Sequence, residues 1–182
     1  TALFQIISTH KDIGYDGLFK CYKKTDKRAD GKVWDMYSNT TNYSFTDNNG
    51  NYKKEGDMYN REHSLPQSWF DEASPMKADI VHVVPTDGYV NNRRSNYPFG
   101  ETSKPTYSSN KGFSKVGPSS VEGYSGTVFE PNDEYKGDFA RIYFYMATCY
   151  EDRIASWALN GTAYTVLDGT PYPAYKKWYI NM

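Results

Sequence analysis

Apolar residues along this chain fall into short amphipathic runs separated by polar, turn-rich stretches. Leu3, Phe4, Ile6 and Ile7 cluster on one short segment and predict a helix over residues 2–7. Leu18, Phe19 and Tyr22 share one helical face and predict a second helix over residues 14–25. Residues 33–38 alternate as a short strand does, and residues 44–56, rich in Asn, Asp, Gly and Lys, predict an exposed loop or hairpin. Residues 57–63 read as a strand that Pro66 interrupts, with a helical turn over residues 67–70. Residues 79–84 are β-rich, and their strand is expected to end at Pro85. Thr86 or Asp87 then caps a short helix running toward Arg94. Residues 95–131 predict loops with short strands. The strongest helical signal starts at the cap residue Asn132, continues through acidic Asp133 and Glu134, and turns Phe139, Ile142, Tyr143, Met146 and Cys149 inward. A final helix is expected over residues 173–182.

Strand, turn, strand and helix between residues 57 and 94 make a compact ββα unit, and the chain as a whole reads as α+β with flanking helices and long loops. Its 182 residues fit one domain, expected to span residues 1–182 with the ββα core at about 57–96. Hydrophobic residues reach only 38%, but the chain holds 18 Tyr, 9 Phe and 4 Trp, so aromatics are expected to fill the core with their hydroxyls reaching toward the surface. A stacking surface for bases or sugars is the alternative use of those rings.

Net charge is -1, so no chain-wide basic footprint points to a polyanion. Six cations between Lys20 and Lys32, set against Asp26 and Asp30, read as a solvated face. Cys21 and Cys149 fit no metal spacing; they are either one long-range disulfide or two thiols. No segment approaches the length of an apolar membrane span, and the sequence from Thr1 onward does not read as a signal peptide.

Candidate chemistry concentrates in the ββα unit. Glu62 and His63 are adjacent on the first strand, so they point to opposite faces unless the strand ends there, as Pro66 suggests. Asn91, Arg93 and Arg94 lie on the helix that packs across it. Phosphodiester hydrolysis needs a base for water, a cation against the developing charge, and donors that hold phosphate. His is an apt base near neutral pH, and a hard cation can be held by one carboxylate, one amide oxygen and waters.

Two blocks sharpen this reading. Arg61, Glu62, His63, Pro66, Ser68, Trp69 and Phe70 form the first; Asp79, His82, Pro85, Gly88, Val90, Asn91, Arg94 and Asn96 form the second. Together with a looser block from Phe129 to Met146, they make the chain resemble the bacterial endonuclease I family of exported nucleases, a branch of the His-Me finger, or ββα-metal, nucleases. The resemblance implies that His63 is the general base and that Glu62 and Asn91 are catalytic as ligands of one Mg²⁺, a site that Mn²⁺ or Ca²⁺ can also occupy. It implies 5′-phosphate products, DNA as substrate, RNA permitted because water attack needs no 2′-OH, and export to the periplasm or medium. Arg61, Arg93, Arg94 and Asn96 are the candidate phosphate contacts. His82 stands where many relatives carry Asn, and is either a packed structural histidine or a group steadying the site. A monomer without membrane or obligate protein partner is expected. The competing readings are a nucleic-acid-binding module without turnover and a secreted glycan-binding domain.

Overall fold

A computed structural model describes residues 1–157 apart from positions 49 and 123. The final helix expected over residues 173–182 lies outside the described residues. The chain is α+β: four α-helices and two small antiparallel sheets are described. None of the described helices is long and apolar enough to cross a membrane.

Helix α1 (Ala2–Ile7) packs against α4 (Asp133–Cys149), and the Thr1 ammonium and hydroxyl both bind Glu151 just beyond α4. The helix expected over residues 14–25 divides into a 3-10 turn, Tyr15–Gly17, and α2 (Leu18–Thr25). α2 buries Leu18 and Tyr22, and the Tyr22 hydroxyl donates to Val83 O, which pins the helix to the ββα unit. No strand forms over residues 33–38: the Asp35 carboxylate accepts the backbone N–H groups of Tyr37 and Ser38 and bends the chain into an Asx turn.

Strands β1 (Tyr59–His63) and β2 (Val83–Asp87) form an antiparallel ribbon, with Glu62 opposite Val84 and Arg61 opposite Pro85. β2 therefore starts later than the sequence suggests and runs through Pro85. Its start is delayed because Asp79 closes a turn, accepting from Val81, His82 and Val83 N–H groups. Pro85 is tolerated because a two-stranded ribbon consists only of edges, where a nitrogen facing away from the partner loses no ladder bond.

β2 runs directly into α3 (Gly88–Arg94), which packs across both strands. Asp87 is the cap: Oδ1 accepts from Val90 N–H, while Oδ2 accepts from Gly56 N–H and the Tyr43 hydroxyl. Its own N–H donates to Asp35 Oδ2. The helix starts so close to the ribbon that a Cβ at Gly88 would stand 2.8 Å from the Tyr52 ring and 3.4 Å from Met58 O.

A second sheet, β3 (Tyr107–Ser108), β4 (Lys115–Pro118) and β5 (Thr127–Glu130), leads into α4, where Asn132 accepts from Glu134 N–H as expected of a cap. One core cluster joins Phe99, Val116 and Phe129 to Phe139, Tyr143 and Met146 of α4; a second joins Leu18, Tyr22, Tyr43, Tyr59 and Val83. The buried tyrosines fill the core as expected, but their hydroxyls turn inward, to Val83 O, Ser64 O, Glu62, Asp79 and Asp87. Lys20, Lys23, Lys24 and Lys27 are exposed, as a solvated face requires, and both cysteines are free.

The two helix caps differ in what depends on them. Asp87→Ala removes a cap, releases Gly56 N–H and strands the buried Tyr43 hydroxyl, so it is expected to lower stability by about 2–4 kcal/mol. Asn132→Ala removes one exposed cap bond and is expected to cost about 1 kcal/mol. Urea unfolding of both variants checks this; equal losses would mean the Asp87 network contributes nothing beyond capping.

Candidate active site

β1 ends at His63, and this termination lets two adjacent residues serve one cleft. Glu62 and His63 both line a polar cavity of about 440 Å³, together with Asn60, Arg61, Gln67, Ser68, Glu72, Asn91 and Asn96. Glu62 is buried beneath α3, where its Oε1 accepts from the Tyr37 hydroxyl at 2.8 Å and from Arg94. These two bonds go to the same oxygen. Burial pushes the Glu62 carboxyl up to about 7, against Arg94 and Tyr37, whose bonds favour the carboxylate.

Asn91 comes to the same cleft from α3. Its Nδ2 donates to Asn60 Oδ1 at 2.7 Å and lies 3.5 Å from Arg61 O. A backbone carbonyl can only accept, which fixes the amide orientation and turns Oδ1 the other way. Among the described residues no cluster of three or more His, Cys, Asp or Glu could hold a metal ion, so a zinc-type closed site is absent there. The donor set does fit a hard cation, which takes one carboxylate oxygen, one amide oxygen and several waters, and the cavity has room for those waters.

His63 faces the cleft from the other side. Its Nε2 lies 3.1 Å from Lys77 O. Because the carbonyl must accept, Nε2 carries the proton and Nδ1 carries the lone pair. The ring is stacked on Tyr15, with centroids 5.7 Å apart and planes at 27°, and also meets Phe70 and His82. Burial, reinforced by the neighbouring His82 and Arg94, holds His63 down to about 3, while the Lys77 carbonyl pulls the other way. The imidazole is therefore neutral, the form a base requires, throughout the neutral range.

His82 is fully buried, with Nε2 on Met76 O at 2.6 Å and Nδ1 without a hydrogen-bond partner. It packs edge-on against Phe70, and its ring centre lies 5.6 Å from that of His63, so it forms part of the packing around that ring. Burial holds it down to about 4.

The four expected phosphate contacts separate in space. Arg61 and Asn96 line the cleft. Arg94 lines it as well, but its guanidinium is buried and donates to Glu62, His63 O, Ser64 O and Tyr97 O, which is a support role. Arg93 is outside the cleft lining and engages the Tyr89 hydroxyl and the rings of Tyr89 and Tyr107. Tyr37, Asn60, Tyr15 and the Lys77 carbonyl escaped the sequence reading. Asn60 alone carried a signal: strand alternation puts it on the same face as Glu62.

Two predictions follow from this geometry. Arg94→Met should destabilise by about 3–5 kcal/mol, because it leaves Glu62 buried beside no cation, and adding Glu62→Gln should recover part of the loss. A double-mutant cycle in urea reads this; strict additivity would show that the pair is not coupled. The second concerns pH. His82 ionises near 4 in the fold and about 6.5 unfolded, so the unfolded chain binds more protons between these values and stability falls on acidification. His63 adds the same sign and Glu62, held up, the opposite, leaving a net loss as pH drops from about 6.5 to 4.5. His82→Asn should flatten that loss by about 1–2 kcal/mol between pH 7 and 5. An unchanged slope in chemical denaturation would contradict a neutral buried His82.

The sequence model of endonuclease I matches residues 1–182. An extracellular ribonuclease of Bacillus subtilis (strain 168) is 34% identical over 155 residues, which cover 83% of this chain and 49% of that protein. A protein of the same name from Bacillus amyloliquefaciens is 33% identical over 156 residues, covering 83% of this chain and 48% of the relative. The chain thus spans about half the length of the curated relatives it matches. With a family match along its whole length, and with Glu62, His63 and Asn91 gathered on one cleft, this chain belongs to the endonuclease I family.

Proposed function

We propose that the chain is a metal-dependent, sequence-nonspecific endonuclease that hydrolyses phosphodiester bonds of DNA, with RNA as a second substrate, to 5′-phosphate products. The observation that carries this reading is the convergence of His63, Glu62 and Asn91 on one polar cleft, with the imidazole held in the tautomer that leaves Nδ1 able to take a proton. The names of the two Bacillus relatives, both extracellular ribonucleases, favour RNA as a substrate and export as the destination.

Glu62 and Asn91 would hold a single Mg²⁺, or Mn²⁺ or Ca²⁺ in its stead. Bound there, the cation would offset the negative charge that builds on the phosphate and on the leaving 3′-oxygen. His63 Nδ1 takes a proton from water as the water oxygen bonds to phosphorus. The bond from phosphorus to the 3′-oxygen breaks on the far side, that oxygen takes a proton from solvent, and the phosphate stays on the 5′ end of the other fragment. Nδ1 then returns its proton to bulk water. Arg61 and Asn96 are the proposed phosphate contacts in the cleft. Arg93, outside the cleft, would meet the strand further along, and Arg94 acts through Glu62. Phosphate contacts carry no base information, which accounts for cutting without sequence preference.

The experiment is digestion of supercoiled plasmid and of a structured RNA, each with Mg²⁺ and with EDTA, beside His63→Ala. Both substrates should be fragmented only with metal, and His63→Ala should lower the rate by about 10²–10⁴-fold while its circular dichroism spectrum matches the parent. A His63→Ala variant that cuts as fast as the parent would remove His63 as the base. Salt-sensitive retention of DNA without cutting would instead identify a binding module.

A further inference from the structure

The sequence motifs leave one ring at the site without a role. Tyr15 lies 48 residues before His63, on the 3-10 turn that precedes α2, and belongs to neither motif block. Its half-buried ring is nonetheless the meeting point of the catalytic machinery. One contact is the stacked His63 imidazole, 5.7 Å away. Another is the Arg61 guanidinium, whose central carbon sits 3.5 Å from the Tyr15 ring centre. The Lys77 ammonium lies 5.8 Å from the same centre, and the backbone carbonyl of that lysine anchors His63 Nε2.

The arrangement is held from several directions. Arg61 Nη1 donates to Tyr15 O at 2.8 Å and to Asp16 Oδ1 at 3.0 Å, which ties the turn to β1. The Phe19 ring, one helical turn further along, lies 4.4 Å from the same guanidinium carbon, so Arg61 is bracketed by two aromatic rings. Guanidinium stacked on a π face keeps its plane fixed and leaves its edges for hydrogen bonds. Neither Nη2 nor Nε takes part in the two bonds that tie Arg61 to the turn, and Arg61 lines the cleft.

We infer that Tyr15 is a positioning residue whose ring fixes the His63 base and the Arg61 phosphate donor relative to each other. The inference rests on the endonuclease reading and names the part of the chain that sets its attack geometry. In-line attack requires the proton acceptor and the held phosphate at a set separation, and both groups come from alternate positions of β1, whose side chains leave the strand on the same face. A shared face leaves both side chains free to turn about their own bonds, and a plate that touches both restricts them together. The bond from Arg61 to Tyr15 O is a backbone contact that any residue keeps, whereas the contacts to the His63 ring, the Arg61 guanidinium face and the Lys77 ammonium are made by the ring and not the hydroxyl, so phenylalanine should serve and an aliphatic side chain should not.

The test compares Tyr15→Phe and Tyr15→Leu with the parent in cleavage kinetics on a fluorescent oligonucleotide. Mn²⁺ affinity is measured by calorimetry and the His63 ring resonances by NMR. Tyr15→Leu should lower kcat by about 10- to 100-fold and raise KM several-fold, because base and phosphate grip loosen together. Tyr15→Phe should stay within about threefold of the parent on both parameters. Mn²⁺ affinity should match the parent in both variants, since Tyr15 touches neither Glu62 nor Asn91. The His63 resonances should stay single and ring-current shifted in Tyr15→Phe, and should move and broaden in Tyr15→Leu. Parent-like kcat in Tyr15→Leu, or a loss of kcat that tracks lost metal affinity, overturns the inference. If the parent does not cleave, the endonuclease reading fails on its own. The NMR comparison then decides the inference by itself: unmoved His63 resonances in Tyr15→Leu would show that the ring does not fix the base.

Discussion

The buried guanidinium of Arg94 is the constraint on which the rest of this molecule is arranged. It lies at the last turn of α3 and reaches back to the end of β1, where it donates to Glu62 and to the carbonyls of His63 and Ser64. A charge 1% exposed is tolerable only when its hydrogen-bonding groups are satisfied, and here the acceptors include two residues proposed to carry the chemistry, Glu62 and His63. The pairing does two things together: it ties α3 to the end of β1, and it holds Oε1 of Glu62 in place at the cleft. Fold and site share one interaction, so they cannot be varied independently.

Around that pair, tyrosine hydroxyls serve as internal struts. Tyr37 reaches Glu62, Tyr43 reaches Asp87, Tyr143 reaches Ser64 O and Tyr22 reaches Val83 O. Tyr145 and Tyr150 converge on Asp79, whose turn sets where β2 begins. A phenol brings a large apolar body and one polar tip, so it fills a core while satisfying a carboxylate or carbonyl that would otherwise be stranded. This explains how a chain with only 38% hydrophobic residues packs two core clusters, and why many of its aromatic rings lie inside and not on a binding face.

The cleft itself divides its tasks by environment. His63 is wrapped by Tyr15, Phe70 and His82, which keeps it neutral and oriented. Asn60, Asn91 and Asn96 supply uncharged polar groups at the same opening. The net charge of -1 is compatible with the proposed polyanionic substrate, because a bound cation and a few fixed donors would act over short distances that salt screens little. A chain-wide positive field would add to the rate of encounter, a separate quantity.

Much of this was legible in the sequence. The Arg61-Glu62-His63 run, the helix running to Arg94 with its cap at Thr86 or Asp87, the cap at Asn132 and the inward face of α4 follow from local rules of alternation, capping and helical period, which act within a few residues; the structure chose Asp87. The strand misplaced at residues 79–84 shows the limit: the run is β-rich, but the Asp79 carbonyl and carboxylate capture three N–H groups and turn it first. What only the tertiary structure decided are the partners that arrive from far along the chain. Tyr15 on the His63 ring, Tyr37 on Glu62, the Lys77 carbonyl on His63 Nε2 and the turning inward of Arg94 leave no periodicity, because a contact across 14 to 48 residues is set by the packing of whole elements. Composition and spacing name the residues able to do the chemistry; burial and long-range hydrogen bonds decide which oxygen, which nitrogen and which face each one presents.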